Sequence, residues 1–293
     1  MYRIGIDIGA TNMRVALFQS DTQLVAREQV KTEAALGPAQ ALEKLVKMIQ
    51  LVDPKRLAVG VGICAPGPLD LANGSILDAP NLPGWFGFSI RDQLAKYVNR
   101  PVFLINDAKA AAIAEASIGA GRGFNSVQYI TVSTGVGGGF VYGGELFSGS
   151  HGHASEIGNM IVDASLPNGT LENICSGSAL LYASKKLFGE DKTAAELFEQ
   201  YKANHKQAHQ VIDEWLQHFS AAVTSIIQVL DPEIFVLGGS VILHHPWLIE
   251  KLQPVVAGQV YSSMKENIQL KVASLGDDAG LYGAMMLVKG KEW

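Results

Sequence analysis

Ile4-Gly5-Ile6-Asp7-Ile8-Gly9-Ala10-Thr11-Asn12 opens the readable part of the chain. Its first half has the apolar character of a strand. Gly9, Ala10 and Thr11 then interrupt it before a second apolar run over 12–19, so two strands joined by a short turn are expected. The same plan returns at Ile130-Thr131-Val132-Ser133-Thr134-Gly135-Val136-Gly137, as an apolar strand, a turn of small and hydroxyl-bearing residues, and a second strand. One plan used near the start of each half predicts two related lobes with a cleft between them, the kind of place where small ligands bind.

Around these hairpins strands and helices alternate to the end of the chain. Strands are expected over 57–64, 102–105, 127–132, 139–142, 234–237 and 270–274. Helices are expected over 33–52, 90–97, 108–119, 171–188, 193–204, 208–229, 247–261 and 279–288. The order predicts an α/β fold with mixed sheets. A length of 293 residues exceeds one average core and suits two domains. With 48% apolar and 17% charged residues, a disordered or fibrous chain is excluded. The 23 basic and 28 acidic residues leave a net charge of −5, a poor match to the phosphates of a nucleic acid. Cys64 and Cys175 stand far apart, so neither a disulfide scaffold nor a cysteine-rich zinc site can be built from them. No signal peptide and no apolar run of membrane-spanning length are visible, and a cytoplasmic protein without membrane contact is expected.

Several positions carry chemical potential. In Asp7-Ile8-Gly9-Ala10-Thr11-Asn12, glycine admits a close phosphate, Thr11 and Asn12 add donors, and Asp7 could orient a metal or a water; a plain tight turn is the alternative. The segment matches neither the Walker pattern nor GxGxxG. Ser133-Thr134-Gly135-Val136-Gly137-Gly138-Gly139 reads as a phosphate-binding loop, or else as a flexible bulge. Asn106-Asp107 ends one strand and begins a helix, so Asp107 is either an N-cap or a general base at the carboxyl end of a strand. Glu156 and Glu172 lie beside small residues, where they could accept sugar hydroxyls or simply be solvated charges. His151 and His153 are two residues apart without cysteine partners, and surface or substrate-loop histidines are expected there rather than metal ligands.

Taken together, these motifs resemble the ROK group of sugar kinases and sugar-responsive repressors over essentially the whole chain. Asp7–Asn12 looks like its first phosphate motif and Thr134–Gly139 like its second. Pro66-Gly67-Pro68-Leu69-Asp70 and Ala79-Pro80-Asn81-Leu82-Pro83-Gly84-Trp85 look like its sugar-side loops. Asn106-Asp107 looks like the catalytic pair. The run from Asp231-Pro232-Glu233 to Gly238-Gly239 resembles the nucleotide-side strand and turn, and Ala279–Ala284 the closing helix. The resemblance implies a two-lobed actin-like ATPase (ribonuclease H-like) fold with mixed sheets and an interlobe cleft. The lobes would be 1–107 with 279–293, and 108–278.

It also implies roles. Asp107 would be the catalytic base. ATP and its phosphates would meet Asp7, Gly9, Ala10, Thr11, Asn12, Ser133, Thr134, Gly135, Gly137, Gly138, Gly238 and Gly239, with Mg²⁺ reached by Asp7 through water. The sugar would meet Gly67, Asn81, Asn106, Asp107, Glu156, Asn159 and Glu172. Asp7 follows only six residues, leaving no room for the repressors' DNA-binding domain, so a kinase without a nucleic-acid partner is expected, as a homodimer. In the family a His after Glu-Ile-Gly joins a cysteine cluster around zinc. Here that position is Asn159, and 163–170 contains no cysteine, so no structural zinc is expected. Asn159 is smaller than imidazole, which points to an open anomeric end and a β-glucoside kinase. A glucokinase or N-acetylmannosamine kinase is the alternative within the family. Outside kinase chemistry, a non-catalytic sugar-binding sensor is the rival; an acetate-kinase-like or chaperone-type ATPase leaves Asn81, Glu156 and Glu172 unexplained.

Overall fold

A computed structural model describes residues 1–77 and 81–288. The chain forms two compact units, Met1–Ile118 with the chain from Asp277 onward, and Gly119–Gly276. Ala79 and Pro80 of the second sugar-side loop, and residues 289–293, lie outside the described residues.

The first unit begins with β1 (Arg3–Ile8), β2 (Asn12–Phe18) and β3 (Leu24–Lys31). α1 (Gly37–Val52) carries the chain back to β4 (Val61–Ala65). Then come the short pair β5 (Leu69–Asp70) and β6 (Ser75–Ile76), α2 (Ile90–Val98), β7 (Val102–Asn106) and α3 (Asp107–Ile118). The main sheet has the order β3-β2-β1-β4-β7. β1 to β3 form an antiparallel meander, while β1, β4 and β7 run parallel. Ile4, Ile6, Ile8, Val61 and Ile63 are fully buried, as expected of strands covered on both faces. β3 was not expected from the sequence: it is an edge strand, largely exposed, and its charges hide the alternation.

The second unit repeats the plan with β8 (Ser126–Val132), β9 (Val136–Tyr142) and β10 (Glu145–Leu146). Four helices follow, α4 (Leu171–Cys175), α5 (Gly177–Phe188), α6 (Ala194–Lys202) and α7 (Lys206–Leu230). β11 (Ile234–Gly238), α8 (Gly239–His244), α9 (Trp247–Gln259) and β12 (Leu270–Val272) complete it. Its sheet order, β10-β9-β8-β11-β12, matches the first sheet strand for strand. α7 buries Ile212, Trp215, Phe219, Val223 and Ile226 on one face, a helical stripe closing the core. The Trp215 indole donates to Cys175 O at 2.7 Å, tying α4 to α7.

Two readings of the sequence are corrected here. The apolar run 171–188 is two helices, because the Ser176 hydroxyl accepts from the Ala179 N–H and starts a new helix in mid-run. Gly137, Gly138 and Gly139 are not a loop. They pair with Thr131, Ile130 and Tyr129 inside the β8–β9 ladder. A Cβ on Gly138 would lie 2.8 Å from Ile157 Cδ1, so packing selects this glycine. The chain then returns to the first unit as α10 (Ala279–Met286). Among the described residues no helix is long and apolar enough to cross a membrane.

Candidate active site

In the first unit the parallel strands β1, β4 and β7 bring Asp7, Cys64 and Asn106 to one edge of the sheet. Asp7 pairs in register with Cys64, and Ala65 with Asn106. Asn106 caps α3: its Oδ1 accepts from the N–H groups of Ala108 and Lys109 at 3.0 and 3.2 Å. Its Nδ2 donates to Asp107 Oδ1 at 2.9 Å, and the Ala108 N–H donates to the same oxygen at 2.7 Å. The Asp107 side chain keeps a solvent-open side, but protein crowds the rest of it. Loss of water there pushes its pKa up to about 6; the nearby Asp7 charge adds to the rise, and the hydrogen bonds from Ala108 and Asn106 oppose it. Gly67 lies against the same pair, since a Cβ there would stand 3.1 Å from Asn106 Nδ2.

Asp7 is buried, and Arg14, its cross-strand partner on β2, lies 2.6 Å from Oδ2. The Cys64 thiol donates to Oδ1 at 3.4 Å. Burial still raises the Asp7 pKa above the ordinary carboxylate value, against the pull of Arg14 and Cys64. Arg14 also meets Asp278 Oδ1 at 3.4 Å, and Asp278 Oδ2 pairs with Arg27 at 2.9 Å. In the turn beyond Asp7, Gly9 N–H donates to Asn12 O at 2.9 Å and Gly9 O accepts from the Thr32 hydroxyl at 2.6 Å. Among the described residues, no protein acceptor meets the N–H groups of Ala10 and Thr11.

The second unit repeats this arrangement at the carboxyl end of β8. Ser133 N–H donates to Gly135 O at 2.9 Å, folding Ser133-Thr134-Gly135 into a tight turn. The start of α5 holds that turn, with Gly177 N–H on Ser133 O at 2.7 Å and the Ser178 hydroxyl on Thr134 O at 2.8 Å. Glu172 lies across it: Oε2 accepts from Val136 N–H at 2.9 Å, and a Cβ on Gly135 would come within 2.4 Å of that oxygen. Gly158 backs onto Val136 O, and a Cβ there would stand 3.5 Å from Glu172 Cβ; Glu156 and Asn159, close on either side of it in sequence, are exposed. Gly238 ends the neighbouring β11 and Gly239 begins α8; a Cβ on Gly239, at φ +83°, would strike Val132 O.

The ROK family pattern matches residues 3–291. The chain belongs to the ROK family. It is 30% identical to a glucokinase of Thermotoga maritima, over 98% of this chain and 96% of that one. It is 33% identical to an N-acetylmannosamine kinase of Escherichia coli, over the whole of both chains. The crystal structure of a ROK hexokinase from Thermus thermophilus superposes with a TM-score of 0.90 at 32% identity, covering 98% of this chain and 97% of that one. With these relatives the chain is a ROK sugar kinase, an ATP-dependent carbohydrate kinase on the two-lobed actin-like fold.

Within this ROK chain, each unit assembles its own share of the residues singled out from the sequence. Asp7, Gly67, Asn106 and Asp107 converge in the first; Ser133, Thr134, Gly135, Glu156, Asn159 and Glu172 converge in the second. Asn81 is exposed in the loop before Trp85, and no hydrogen bond joins it to Asn106 or Asp107 among the described residues. The N–H of Val136, within the segment read as a phosphate loop, is taken by Glu172. Where the ROK resemblance would place zinc, 163–170 folds on its own hydrogen bonds. Val162 and Asp163 donate to Gly169 O at 2.9 and 3.1 Å, and Asp163 Oδ1 accepts from the Ser165 hydroxyl at 2.6 Å. Among the described residues no cluster of three or more His, Cys, Asp or Glu side chains is placed to hold a metal. Arg14 was missed by sequence reasoning. Closing the hairpin at Gly9–Thr11 sets it opposite Asp7, a signal available from register alone.

Proposed function

We propose that the chain transfers the γ-phosphoryl group of MgATP to the primary 6-hydroxyl of a glucose-type pyranose, and that its preferred substrate is a β-glucoside. The observation that carries the transfer is the Asn106–Asp107 pair. Asn106 shares the helix cap with Asp107, whose Oδ1 also accepts from the Ala108 N–H, and a pKa of about 6 leaves Asp107 ionised at neutral pH yet more basic than an ordinary carboxylate. Asp107 accepts the hydroxyl proton as the sugar oxygen attacks the γ-phosphorus. Glu156, Asn159, Glu172, Asn81, Asn106 and the Gly67 backbone hold the ring hydroxyls.

Phosphoryl transfer depends mostly on positioning and charge stabilisation. The Ala10 and Thr11 N–H groups, with Gly9 and Asn12, suit phosphate oxygens, as do Ser133, Thr134 and Gly135. Gly137, Gly138, Gly238 and Gly239 shape the second turn and its neighbour. Magnesium, when bound, neutralises phosphate charge. Asp7 fits it only through a water, because Arg14 and Cys64 already engage both carboxylate oxygens.

The β-glucoside preference rests on Asn159. It is shorter than the family's histidine and exposed, and 163–170 beside it in sequence folds on its own hydrogen bonds, which supports an open end at O1. The N-acetylmannosamine kinase reading comes second, favoured by the 33% identity with such an enzyme. A coupled ADP-release assay with MgATP over glucose, mannose, N-acetylglucosamine, N-acetylmannosamine, cellobiose and gentiobiose decides. Highest kcat/KM on the two β-linked disaccharides is expected. A large preference for free glucose would refute the open anomeric end, and silence on every sugar would refute the kinase reading in favour of a sensor.

A further inference from the structure

Gln128 is a fully buried amide on β8, opposite Phe140 of β9 and beside Phe235 of β11. A buried amide among apolar neighbours is costly unless its hydrogens find acceptors. Its Nε2 lies 2.9 Å from Tyr129 O, 3.3 Å from Gly139 O and 2.9 Å from the Ser155 hydroxyl. Two carbonyl oxygens on that side identify it as the nitrogen end. The Ser155 hydroxyl is also 3.3 Å from Oε1, so it is gripped by the whole amide.

Ser155 has φ +62°. A residue with a side chain enters this left-handed region only when its surroundings hold it there, whereas glycine enters it freely. The next residue is Glu156. Beyond it, Ile157 packs where Gly138 lacks a Cβ, and Gly158 backs onto Val136 O, leaving Glu156 and Asn159 exposed. The turn at Ser155 therefore sets the direction in which the segment carrying these two side chains leaves it.

We propose that Gln128 is a positioning residue for the sugar-side pair Glu156 and Asn159, acting by holding Ser155 in its left-handed conformation. The inference rests on the sugar site read above and adds a residue buried in the sheet that does not touch the sugar itself.

The test uses the full chain and four variants: Ser155→Ala, Ser155→Gly, Gln128→Met and the double variant Gln128→Met/Ser155→Gly. Ser155→Ala keeps the backbone cost and loses the anchor, whereas Ser155→Gly loses both. Ser155→Ala and Gln128→Met should each raise sugar KM roughly fivefold, with ATP KM held within about twofold, on the scale of one lost buried hydrogen bond. Ser155→Gly should stay near the wild type, and adding Gln128→Met to it should change sugar KM little. Hydrogen exchange without ligands gives a second readout. The Asn159 and Met160 amides, which donate to Glu156 and Ile157 carbonyls at 3.2 and 3.0 Å, should exchange faster in Ser155→Ala and Gln128→Met only.

An unchanged sugar KM in Ser155→Ala would overturn the proposal. So would an equal effect of Gln128→Met in both backgrounds, the signature of a general core defect. A wild-type chain inactive on every sugar would refute the kinase reading and the sugar role together, while the exchange comparison would still decide whether Gln128 orders the segment.

Discussion

Asn106 and Asp107 share the start of α3, and the base role proposed for Asp107 is tested at this residue. Asn106 Oδ1 takes part in the cap, and its amide nitrogen steadies Asp107 Oδ1. Read from residue types alone, Asp107 could be either cap or base, because both tasks want a carboxylate at the same position; in the structure its Oδ1 shares the cap with Asn106. A base must be ionised to act, so kcat/KM for the sugar should fall as pH drops through about 6 and level off above it. Asp107→Asn should lose that limb and lower turnover by about 10²–10⁴, while isothermal titration finds sugar affinity largely kept. Near-normal turnover would reduce Asp107 to an ornament of the helix start. Stability moves the opposite way. Crowding raises the folded-state pKa above the unfolded value of about 3.9, so the ionised group opposes folding above pH 6 and the penalty vanishes below pH 4. Asp107→Asn should therefore melt at or above the wild type at pH 8, with the difference closing by pH 4. A variant that melts well below the wild type at pH 8 would contradict the crowding.

Among the elements, α10 is packed closely against its neighbours. Its backbone lies almost on the sheet: a Cβ on Gly62 of β4 would stand 1.7 Å from Ala284 O, and one on Gly5 of β1 would stand 2.4 Å from Leu281 O. On the other side a Cβ on Gly283 would stand 1.8 Å from Ala110 O of α3. Neither neighbour is a flexible side chain that could yield. Gly283→Ala should therefore cost more than about 3 kcal/mol in urea unfolding, at the severe end of overpacking. Gly258, near the end of α9, meets nothing within 4 Å. There the same exchange should stabilise by about 0.5 kcal/mol through the helix preference of alanine. Equal effects at the two sites would refute the close approach. This contrast also explains which elements the sequence disclosed. Buried strands and the one-sided stripe of α7 carry a strong apolar period, and both hairpins were legible. The glycines at 137 to 139 read as a loop although they lie in a strand, and at Gly138 a missing side chain looks the same whether a phosphate or Ile157 fills the gap. The break between α4 and α5 was hidden because Ser176 interrupts no apolar period.

Across the whole molecule, the two sheets share one strand order although their helices differ, so the echo between Ile4–Thr11 and Ile130–Gly137 reflects a repeated architecture. The units differ in how the chain builds them. Gly119–Gly276 is continuous and owns a core around α7, whereas the first unit is completed only when the chain returns at Asp277. That return brings Leu281, Ala284 and Met285, all fully buried, and Asp278, which pairs with Arg14 and Arg27. The sequence alone gave no reason for the return; only the resemblance of Ala279–Ala284 to a closing helix did. Physically, α10 covers β1 and β4 and seats α3, so removing it exposes the apolar face of the parallel strands and strips Arg14 of Asp278. Apolar burial is worth about 25 cal/mol per Å², and several fully buried side chains removed together exceed the margin by which a domain is stable. A chain ending at Leu275 should thus lose the first unit and keep the second. Limited proteolysis followed by mass spectrometry should find a resistant fragment spanning roughly 119–275, with 1–118 degraded, while the full chain protects both. Protection of 1–118 in the truncated chain would show that the three parallel strands and their own helices hold without α10, and the backbone contacts at Gly5, Gly62 and Gly283 would then be a consequence of packing rather than its support.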